Sequence, residues 1–441
     1  MSYRDNLLKY FDENKDYMDA RVSHGIEWYR KGAATLNFVE NGSKKAGNIT
    51  VEIKQKNHEF KYGANIFMLD EFENEEKNKL YREKFPAALN LATIPFYWSD
   101  LEPERGKPRY TADSPKIYRR PATDLCVDYC LENGIEPKCH CLNYDNFVPQ
   151  WLSDATVAEH KKALEKRFRE LAERYADKIP SWEVTNETFN SNWHPQSKFY
   201  NEDDFVEWSF RMADRYFPNN KLIINDYELW HSRKPNVREP YFMQIESLKA
   251  NGLHHLDSVG MQFHSFFPKE AVKDLAKIRY NPIHLYDVLD LYAKTGKRLQ
   301  ITEMTLSAYT DSDENEELQA QLLKNIYSVF FSHPAMEAII YWNLADGYAA
   351  FAPHGDMTVG ENVYRGGLLR FDMTEKPAFK MLKYLFNELW HTETTLSTNN
   401  GELSFRGFFG DYDLLIHVDG KTIPHRISLS RDKLNQFDIS L

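Results

Sequence analysis

The feature that most constrains the fold of this chain is an alternation of strand and helix patterns that repeats eight times after Phe60. Short runs rich in β-branched and aromatic residues alternate with longer amphipathic segments. Eight such units predict the α/β class and a closed (β/α)8 TIM barrel, which takes roughly 250 to 330 of the 441 residues. The predicted strands are 62–67, 90–96, 136–144, 181–187, 221–227, 258–264, 298–303 and 338–346.

The segments on either side of the predicted barrel have different patterns. A charged helical segment at 3–19 precedes residues 31–58, which alternate polar and apolar positions around a turn. Turn signals separate short β-rich runs near the end of the chain. We therefore expect an N-terminal helix and β lead-in at 1–59, a barrel at 60–391 and a β-rich appendage at 392–441. Whether this appendage joins the N-terminal strands in one sheet stays open.

Composition and hydropathy exclude two classes of partner. A net charge of −11 without a long Lys/Arg run argues against nucleic acid. No apolar run approaches the length of a membrane-spanning helix, and the first residues have no signal-peptide core, so we expect a soluble protein without membrane insertion. The location stays open: secreted or periplasmic if a signal was removed, and cytoplasmic otherwise.

Four cysteines lie close together in the sequence, on both sides of His140. One pair has C-x3-C spacing in a helical pattern, and the other has C-x-C spacing in a strand pattern that turns His140 to the opposite face. Neither spacing suits a zinc ribbon. The sequence therefore predicts buried free thiols and no metal site at Cys126, Cys130, Cys139 and Cys141.

Two of the predicted strands end on a glutamate, namely Glu187 and Glu303. Because the carboxyl ends of the strands form the substrate-binding face of a barrel, both side chains are expected at one mouth. Glycoside hydrolases use such a pair: one carboxyl protonates the leaving oxygen, and the other attacks the sugar or activates water. The sequence thus predicts a paired-carboxylate site for a carbohydrate.

Other strand ends also offer polar or aromatic side chains. Buried carboxylates are costly unless they are hydrogen-bonded, so several polar groups converging on one mouth indicate a functional site. The candidates for substrate binding are Tyr97, His140, Tyr144, Asp145, Asn186, Gln262, His264 and Trp342.

The motifs around the two glutamates resemble those of a known family. Trp182-Glu183-Val184-Thr185-Asn186-Glu187 is similar to the acid/base signature of glycoside hydrolase family 10, which includes many endo-β-1,4-xylanases. Ile301-Thr302-Glu303 is similar to its nucleophile signature. Supporting matches, which follow one another in order along nearly all of the barrel, lie at 29–60, 101–106, 225–227, 260–264, 367–369 and 376–378.

The resemblance implies roles for individual residues. Glu187 corresponds to the general acid/base and Glu303 to the nucleophile of a retaining double displacement, which needs no cofactor and places the carboxyl groups roughly 5 to 5.5 Å apart. The other correspondences are Asn186 for binding the sugar 2-hydroxyl, His264 and Gln262 for orienting the nucleophile, and His140 and Trp342 for lining the cleavage subsite.

The chain departs from the family pattern next to the cleavage subsite. Residues 93–97 stand where the family usually has a Glu-Asn pair and a Lys, and 144–147 replace a Trp-His run followed by a Gln. Ala350 lies where a second tryptophan is usual. We therefore expect an intact cleavage subsite beside a subsite rebuilt with apolar and aromatic groups, among them Ile94, Tyr97, Tyr144 and Phe147.

Three functions are compatible with these observations. The first is a xylanase-like hydrolase, and the second is a β-glycosidase for a decorated hemicellulose, an exopolysaccharide or a glycoconjugate. The third is a noncatalytic carbohydrate-binding protein on the same scaffold. In that case at least one of the two glutamates should have been replaced, and neither has been.

Overall fold

The computed structural model describes residues 2–190, 197–227 and 229–441. The chain begins with helices α1 (Tyr3–Glu13) and α2 (Lys15–Tyr29), so the helical opening extends beyond the predicted 3–19. Ser2 starts α1 by exchanging hydrogen bonds with Asp5 in a capping box. Three strands follow: β1 (Lys31–Glu40), β2 (Ser43–Lys44) and β3 (Ile49–His58).

Eight parallel strands form a closed barrel, which confirms the predicted (β/α)8 fold. Each strand pairs with the next along the chain, and the last pairs with the first. The third strand ends at His140 instead of residue 144, because the chain then enters a short 3-10 turn. The strands are β4 (Lys61–Asn65), β5 (Leu91–Pro95), β6 (Glu136–His140), β7 (Ser181–Asn186), β8 (Lys221–Asp226), β9 (Ser258–His264), β10 (Arg298–Thr305) and β11 (Met336–Tyr341).

Helices surround the barrel and bury one apolar face each against it. The helix with the clearest pattern in the sequence, 157–178, is helical up to Tyr175; Thr156 and Glu159 form its capping box, and Leu164 and Phe168 are buried. The helices after α2 in the described residues are α3 (Glu75–Ala88), α4 (Trp98–Leu101), α5 (Thr123–Glu132), α6 (Val157–Tyr175), α7 (Phe205–Tyr216), α8 (Pro240–Ala250), α9 (Val272–Arg279), α10 (Pro282–Ala293), α11 (Asp313–Ser332) and α12 (Pro377–Tyr384).

Strands from both ends of the chain pack together in two four-stranded sheets, an arrangement that the sequence leaves open. The C-terminal strands are β12 (Glu393–Thr398), β13 (Glu402–Phe408), β14 (Gly410–Val418), β15 (Lys421–Leu429) and β16 (Gln436–Ser440). In one, β1 lies between β13 and β16 and also pairs with β2; in the other, β3 lies between β12 and β14, and β15 is at the edge. Alternating apolar residues such as Phe38, Val51 and Leu414 fill the space between the sheets.

This β-sandwich lies at the amino-terminal ends of the barrel strands. Lys61, Lys221 and Arg298, which begin three of those strands, line a gap together with Asp411 and Arg431. The opposite, carboxyl-terminal end of the barrel is therefore free for substrate. None of the described helices is long and apolar enough to span a bilayer.

Candidate active site

A cleft of about 580 Å³ opens at the carboxyl-terminal ends of the barrel strands. It brings together both glutamates predicted to be catalytic and seven of the eight predicted substrate-binding residues. Asp145, the eighth, is buried in the 3-10 turn after β6 and is not among the described residues that line the cleft. The predicted residues that do line it are Tyr97, His140, Tyr144, Asn186, Glu187, Gln262, His264, Glu303 and Trp342.

Glu187 directly follows β7 and has a left-handed backbone conformation, with φ of +50°. Such a conformation is uncommon for a residue with a side chain, and it is held here by a hydrogen bond from the Glu187 N–H to the carbonyl of Asn225 (3.0 Å). The Tyr144 hydroxyl donates to Oε2 at 2.5 Å, and Gln262 Nε2 donates to Oε1 at 3.0 Å. The carboxylate is thus fixed by two donors from different elements.

Glu303 lies within β10, and only 3% of its surface is exposed. Asn225 Nδ2 donates to its Oε1 at 3.0 Å, while His264 Nε2 lies 3.2 Å from its Oε2. Within the described residues, each carboxylate oxygen therefore has one hydrogen-bond partner, and the side chain points into the cleft from β10, three strands away from β7.

Three amide side chains connect the two carboxylates. Asn225 Nδ2 donates to Glu303 and also to Asn186 Oδ1 (2.7 Å). Gln262 Nε2 donates to the same Asn186 oxygen (3.3 Å) and to Glu187. Their amide groups hold the two glutamates in one hydrogen-bonded frame. The resemblance implied that Gln262 orients the nucleophile candidate, Glu303. In the structure, Gln262 instead donates a hydrogen bond to Glu187.

The hydrogen bonds of His264 define its tautomer. Burial lowers the pKa of His264 to about 4, so the ring is neutral at pH 7. For Nε2 to donate to Glu303, the proton must be on Nε2, which leaves Nδ1 to accept from Thr305 Oγ1 at 3.1 Å. A neutral donor orients Glu303 without adding a positive charge beside it.

A buried ion-pair network lies below Glu303 inside the barrel. Glu183 contacts both Lys138 and His140, and His140 Nε2 is 3.0 Å from the Tyr97 hydroxyl. Burial alone would raise the pKa of Glu183 and lower that of His140, but the charges of the network reverse both shifts. His140 Nδ1 is 4.0 Å from Glu303, so a protonated His140 places positive charge near the nucleophile candidate.

His140, Glu183 and Glu303 also present possible metal-ligand atoms within 4.8 Å of one another. The Lys138 ammonium already pairs with Glu183, so a divalent cation in this group would face that positive charge and break the network. The donor set therefore fits a metal poorly. The four cysteines are buried free thiols, and burial raises the pKa of Cys130 to about 12, which keeps it uncharged.

Burial raises the pKa of Glu303 to about 8; His140 opposes this rise, and Glu187 and Glu183 add to it. An unfolded glutamate has a pKa of 4.5. As the pH rises above 4.5 the unfolded chain loses this proton first, so folding loses stability until the pH passes about 8.

We therefore expect Glu303→Gln to be more stable than the wild type, by a difference that grows from pH 4.5 to pH 8 at about 1.4 kcal/mol per unit of pKa difference. Urea unfolding at pH 5, 7 and 9 would measure it. Glu337→Gln is the matched control. Burial acts to raise the pKa of Glu337, but the ion pair with Lys221 outweighs burial and the pKa is lowered overall, so this variant should lose stability at the higher pH values. Parallel stability profiles for Glu303→Gln and the wild type would contradict the expectation.

One further prediction needs correction, and one polar residue at the end of a predicted strand lies outside the site. Ile94 is fully buried in the barrel core and does not belong to the rebuilt subsite. Asp346 forms a buried ion pair with Lys376 (2.5 Å) and accepts from the Gly367 N–H (2.7 Å), so it fixes a loop. Polar residues at strand ends thus divide into those that face the cleft and those that close loops behind it.

Sequence reasoning missed several residues that line the cleft. Arg119 and Arg120 come from the long loop between α4 and α5, and Phe351, which is 94% exposed, lies on the rim beside Ala350. The cleft wall is therefore cationic as well as aromatic, which differs from the apolar subsite expected. The network of Lys138, His140 and Glu183 could have been inferred from the sequence, because alternate residues of a barrel strand point to the same side.

Known proteins with similar sequences cover most of the barrel. The profile of glycosyl hydrolase family 10 matches residues 69–383. A beta-1,4-xylanase of Dictyoglomus thermophilum is 26% identical over 250 residues, which cover 53% of this chain and 67% of that protein. Endo-1,4-beta-xylanase 1 of Arabidopsis thaliana is 25% identical over 399 residues; the match covers 89% of this chain but only 37% of that protein.

Solved structures share the barrel. The crystal structure of xylanase 10B from Thermotoga petrophila in complex with xylobiose superposes with a TM-score of 0.59 at 22% identity. The match covers 75% of this chain and 95% of that one. At this identity the likeness concerns the fold.

Proposed function

The chain belongs to glycosyl hydrolase family 10, and from this premise we propose that it hydrolyses a β-linked glycan by a retaining double displacement. The observation that supports this most directly is the frame of amide hydrogen bonds that joins Glu187 and Glu303 in one cleft. A double displacement needs two carboxyl groups held at fixed positions on either side of one glycosidic bond.

In the first step, a carboxylate oxygen of Glu303 attacks the anomeric carbon, and the bond from that carbon to the leaving oxygen breaks. Glu187 gives its proton to the leaving oxygen, and a glycosyl ester forms on Glu303. Asn225 and His264 each occupy one oxygen of Glu303, which orients the carboxylate for attack.

In the second step, Glu187 acts as a base. It removes a proton from water as the water oxygen attacks the anomeric carbon, and the ester bond to Glu303 breaks. Glu187 regains its proton, Glu303 its charge, and the sugar its original anomeric configuration. Tyr144 and Gln262 hold Glu187 in place for both proton transfers.

The protonation of the site suits this reaction cycle. Since burial raises the pKa of Glu303 to about 8, this carboxyl group retains its proton at neutral pH in the absence of substrate. The reaction needs one proton shared between the two groups, located on Glu187 when the sugar is bound. The positive charge of the His140 network favours the ionised form of Glu303.

Residues around the pair are suited to a pyranose ring. Trp342 packs against His140 and His264, with ring centroids 5.5 and 5.9 Å apart, and forms one wall. Asn186 accepts two hydrogen bonds through its oxygen, which leaves its amide nitrogen to donate to a sugar hydroxyl. The decisive test of the mechanism is NMR observation of the first-formed anomer of the product.

We expect weak turnover of unsubstituted linear xylan relative to the preferred glycan. Tyr97 stacks on Phe147 at 4.0 Å next to the cleavage subsite, where a bare xylose would lack polar partners at roughly 1 to 3 kcal/mol for each unsatisfied group. Initial rates on linear xylan and on a panel of decorated glycans would measure this. Release of xylobiose and xylotriose from linear xylan at rates equal to the best glycan tested would contradict it.

A noncatalytic carbohydrate-binding role is the alternative from another class. It predicts sugar binding without hydrolysis of any β-glycoside. The intact glutamate pair and its hydrogen-bonded frame favour the enzyme.

A further inference from the structure

Arg119 is a buried cation in the wall of the cleft. It lies in the loop between α4 and α5, with φ of +61°, and 2% of its surface is exposed. A guanidinium remains charged under ordinary conditions, and removing it from water is costly unless an anion compensates the charge. The role of Arg119 therefore depends on which groups contact its guanidinium.

Within the described residues, Arg119 has no carboxylate at ion-pair distance. Its Nη1 donates to Asn343 Oδ1 (3.0 Å) and to the carbonyl of Tyr348, both uncharged acceptors, and its buried Nε has no hydrogen-bond partner there. Glu361 reaches it only indirectly, because Asn343 Nδ2 donates to Glu361 Oε2 at 2.9 Å. Burial and the neighbouring Arg120 both lower the pKa of Arg119. Its charge is thus left uncompensated by a direct anionic contact.

The adjacent Arg120 differs from Arg119, because a carboxylate compensates its charge. Its Nε donates to Asp100 Oδ2 at 2.7 Å, and its guanidinium lies 4.2 Å from the centre of the Tyr97 ring. Both arginines also lie over Phe67, at 5.4 and 5.6 Å from the ring centre. Among the described residues, the end of the cleft around Phe67 therefore has two positive charges and one carboxylate in direct contact with them.

This positive end adjoins the position of bond cleavage. The ring of Phe67 is 5.3 Å from Trp342 and 6.3 Å from His140, and His140 Nδ1 is 4.0 Å from Glu303. A sugar bound against Phe67 and Tyr97 would therefore be next to the sugar whose bond is cleaved.

We propose that Arg119 binds the carboxylate of a uronic acid carried by the glycan, at the end of the cleft around Phe67. The proposal rests on the proposed function in that the same cleft holds the glycan. A carboxylate supplies the missing anion and accepts charge-assisted hydrogen bonds from the guanidinium, while the aromatic rings contact the sugar faces. The carboxylate of the uronic acid also offers the rebuilt subsite a polar group that an unsubstituted xylose does not have.

The test is a binding measurement on the Glu303→Gln protein, which is expected not to hydrolyse its ligand. The probes are a β-1,4-xylo-oligosaccharide with a glucuronic acid branch and the same compound after reduction of its carboxyl group to a primary alcohol. Isothermal titration calorimetry should give about tenfold or greater preference for the acidic probe. Adding Arg119→Met should remove that preference, and Arg119→Lys should keep part of it.

Arg109→Met is the matched control. Arg109 is buried in the same loop. Among the described residues, its side chain binds only the carbonyl groups of Pro115, Asp100 and Arg120, and it is not one of those that line the cleft. We expect this variant to keep the preference for the acidic probe. If it lost the preference as Arg119→Met does, the effect would belong to the loop and the proposal would be wrong.

The remaining outcomes of the binding measurement also test the uronate site. Equal affinity for the two probes, or no binding of the acidic one, overturns the proposal even if Arg119→Met does not fold. Because the readout is binding, it is independent of the hydrolytic mechanism. Selective binding without hydrolysis by the wild type would refute only the proposed function, and hydrolysis without selectivity would refute only the uronate site.

Discussion

Glu303→Ala is expected to lower kcat on every β-glycoside by on the order of 10⁴-fold or more, because no other group can form the glycosyl ester. The carboxylate is held by Asn225 and His264 within the cleft, and no second described carboxylate shares those contacts. Initial rates on aryl glycosides and on natural glycans would measure the loss. A 2-fluoro glycoside should label Glu303 in the wild type, as peptide mapping would show.

The control for this variant is Glu337→Gln. Glu337 is a buried glutamate at the other end of the barrel, where Ser258, Gln300 and Lys221 contact it at 2.6 to 2.8 Å. Its loss should affect stability and leave kcat within a few-fold of the wild type. Labelling of any other residue, or an inverted product, would refute the assignment of Glu303.

Glu187→Ala is expected to slow substrates with poor leaving groups by about 10²- to 10⁴-fold and to have a much smaller effect on activated aryl glycosides. Only an alcohol of high pKa needs a proton as it departs, whereas a nitrophenolate leaves without one. The ratio of the two losses, measured as kcat/KM for a series of aryl glycosides, is the diagnostic quantity.

Tyr144→Phe separates proton transfer from positioning. It removes the 2.5 Å hydrogen bond to Glu187 but keeps the aromatic ring that contacts Phe147. We expect a modest loss of similar size on both kinds of substrate. If Glu187→Ala also lost equal activity on both kinds, Glu187 would be a structural residue and the acid/base would have to be sought elsewhere.

The barrel and the two glutamates could be predicted because their signals are local. A buried strand is a short run with a recognisable composition, and its last residue is at the mouth by topology alone. Glu187 and Glu303 are such last or near-last residues, and neighbours such as Asn186 and His264 follow from the same rule.

Arg119 and the β-sandwich could not be predicted in the same way. Residues 102–122 form an irregular loop without periodicity, so the direction of the Arg119 side chain depends on its left-handed backbone and on contacts with Asn343 and Tyr348, more than 200 positions away. Sheet partners are likewise set by register between distant segments. The turn signals near residue 400 identify strands and leave open which strand each one meets.

The exchange of strands between the two ends of the chain has a consequence for the order of folding. β1 pairs with β13 and β16, and β3 pairs with β12 and β14, so these ladders join positions some 340 to 400 residues apart. Contacts of such high order cost much loop-closure entropy while the intervening chain is unfolded. A barrel that closes first would shorten that loop to the span between its own ends. During synthesis, β3 and most of β1 would then have no strand partners until the last strands are made, which exposes unpaired strand edges at the end of the barrel remote from the cleft.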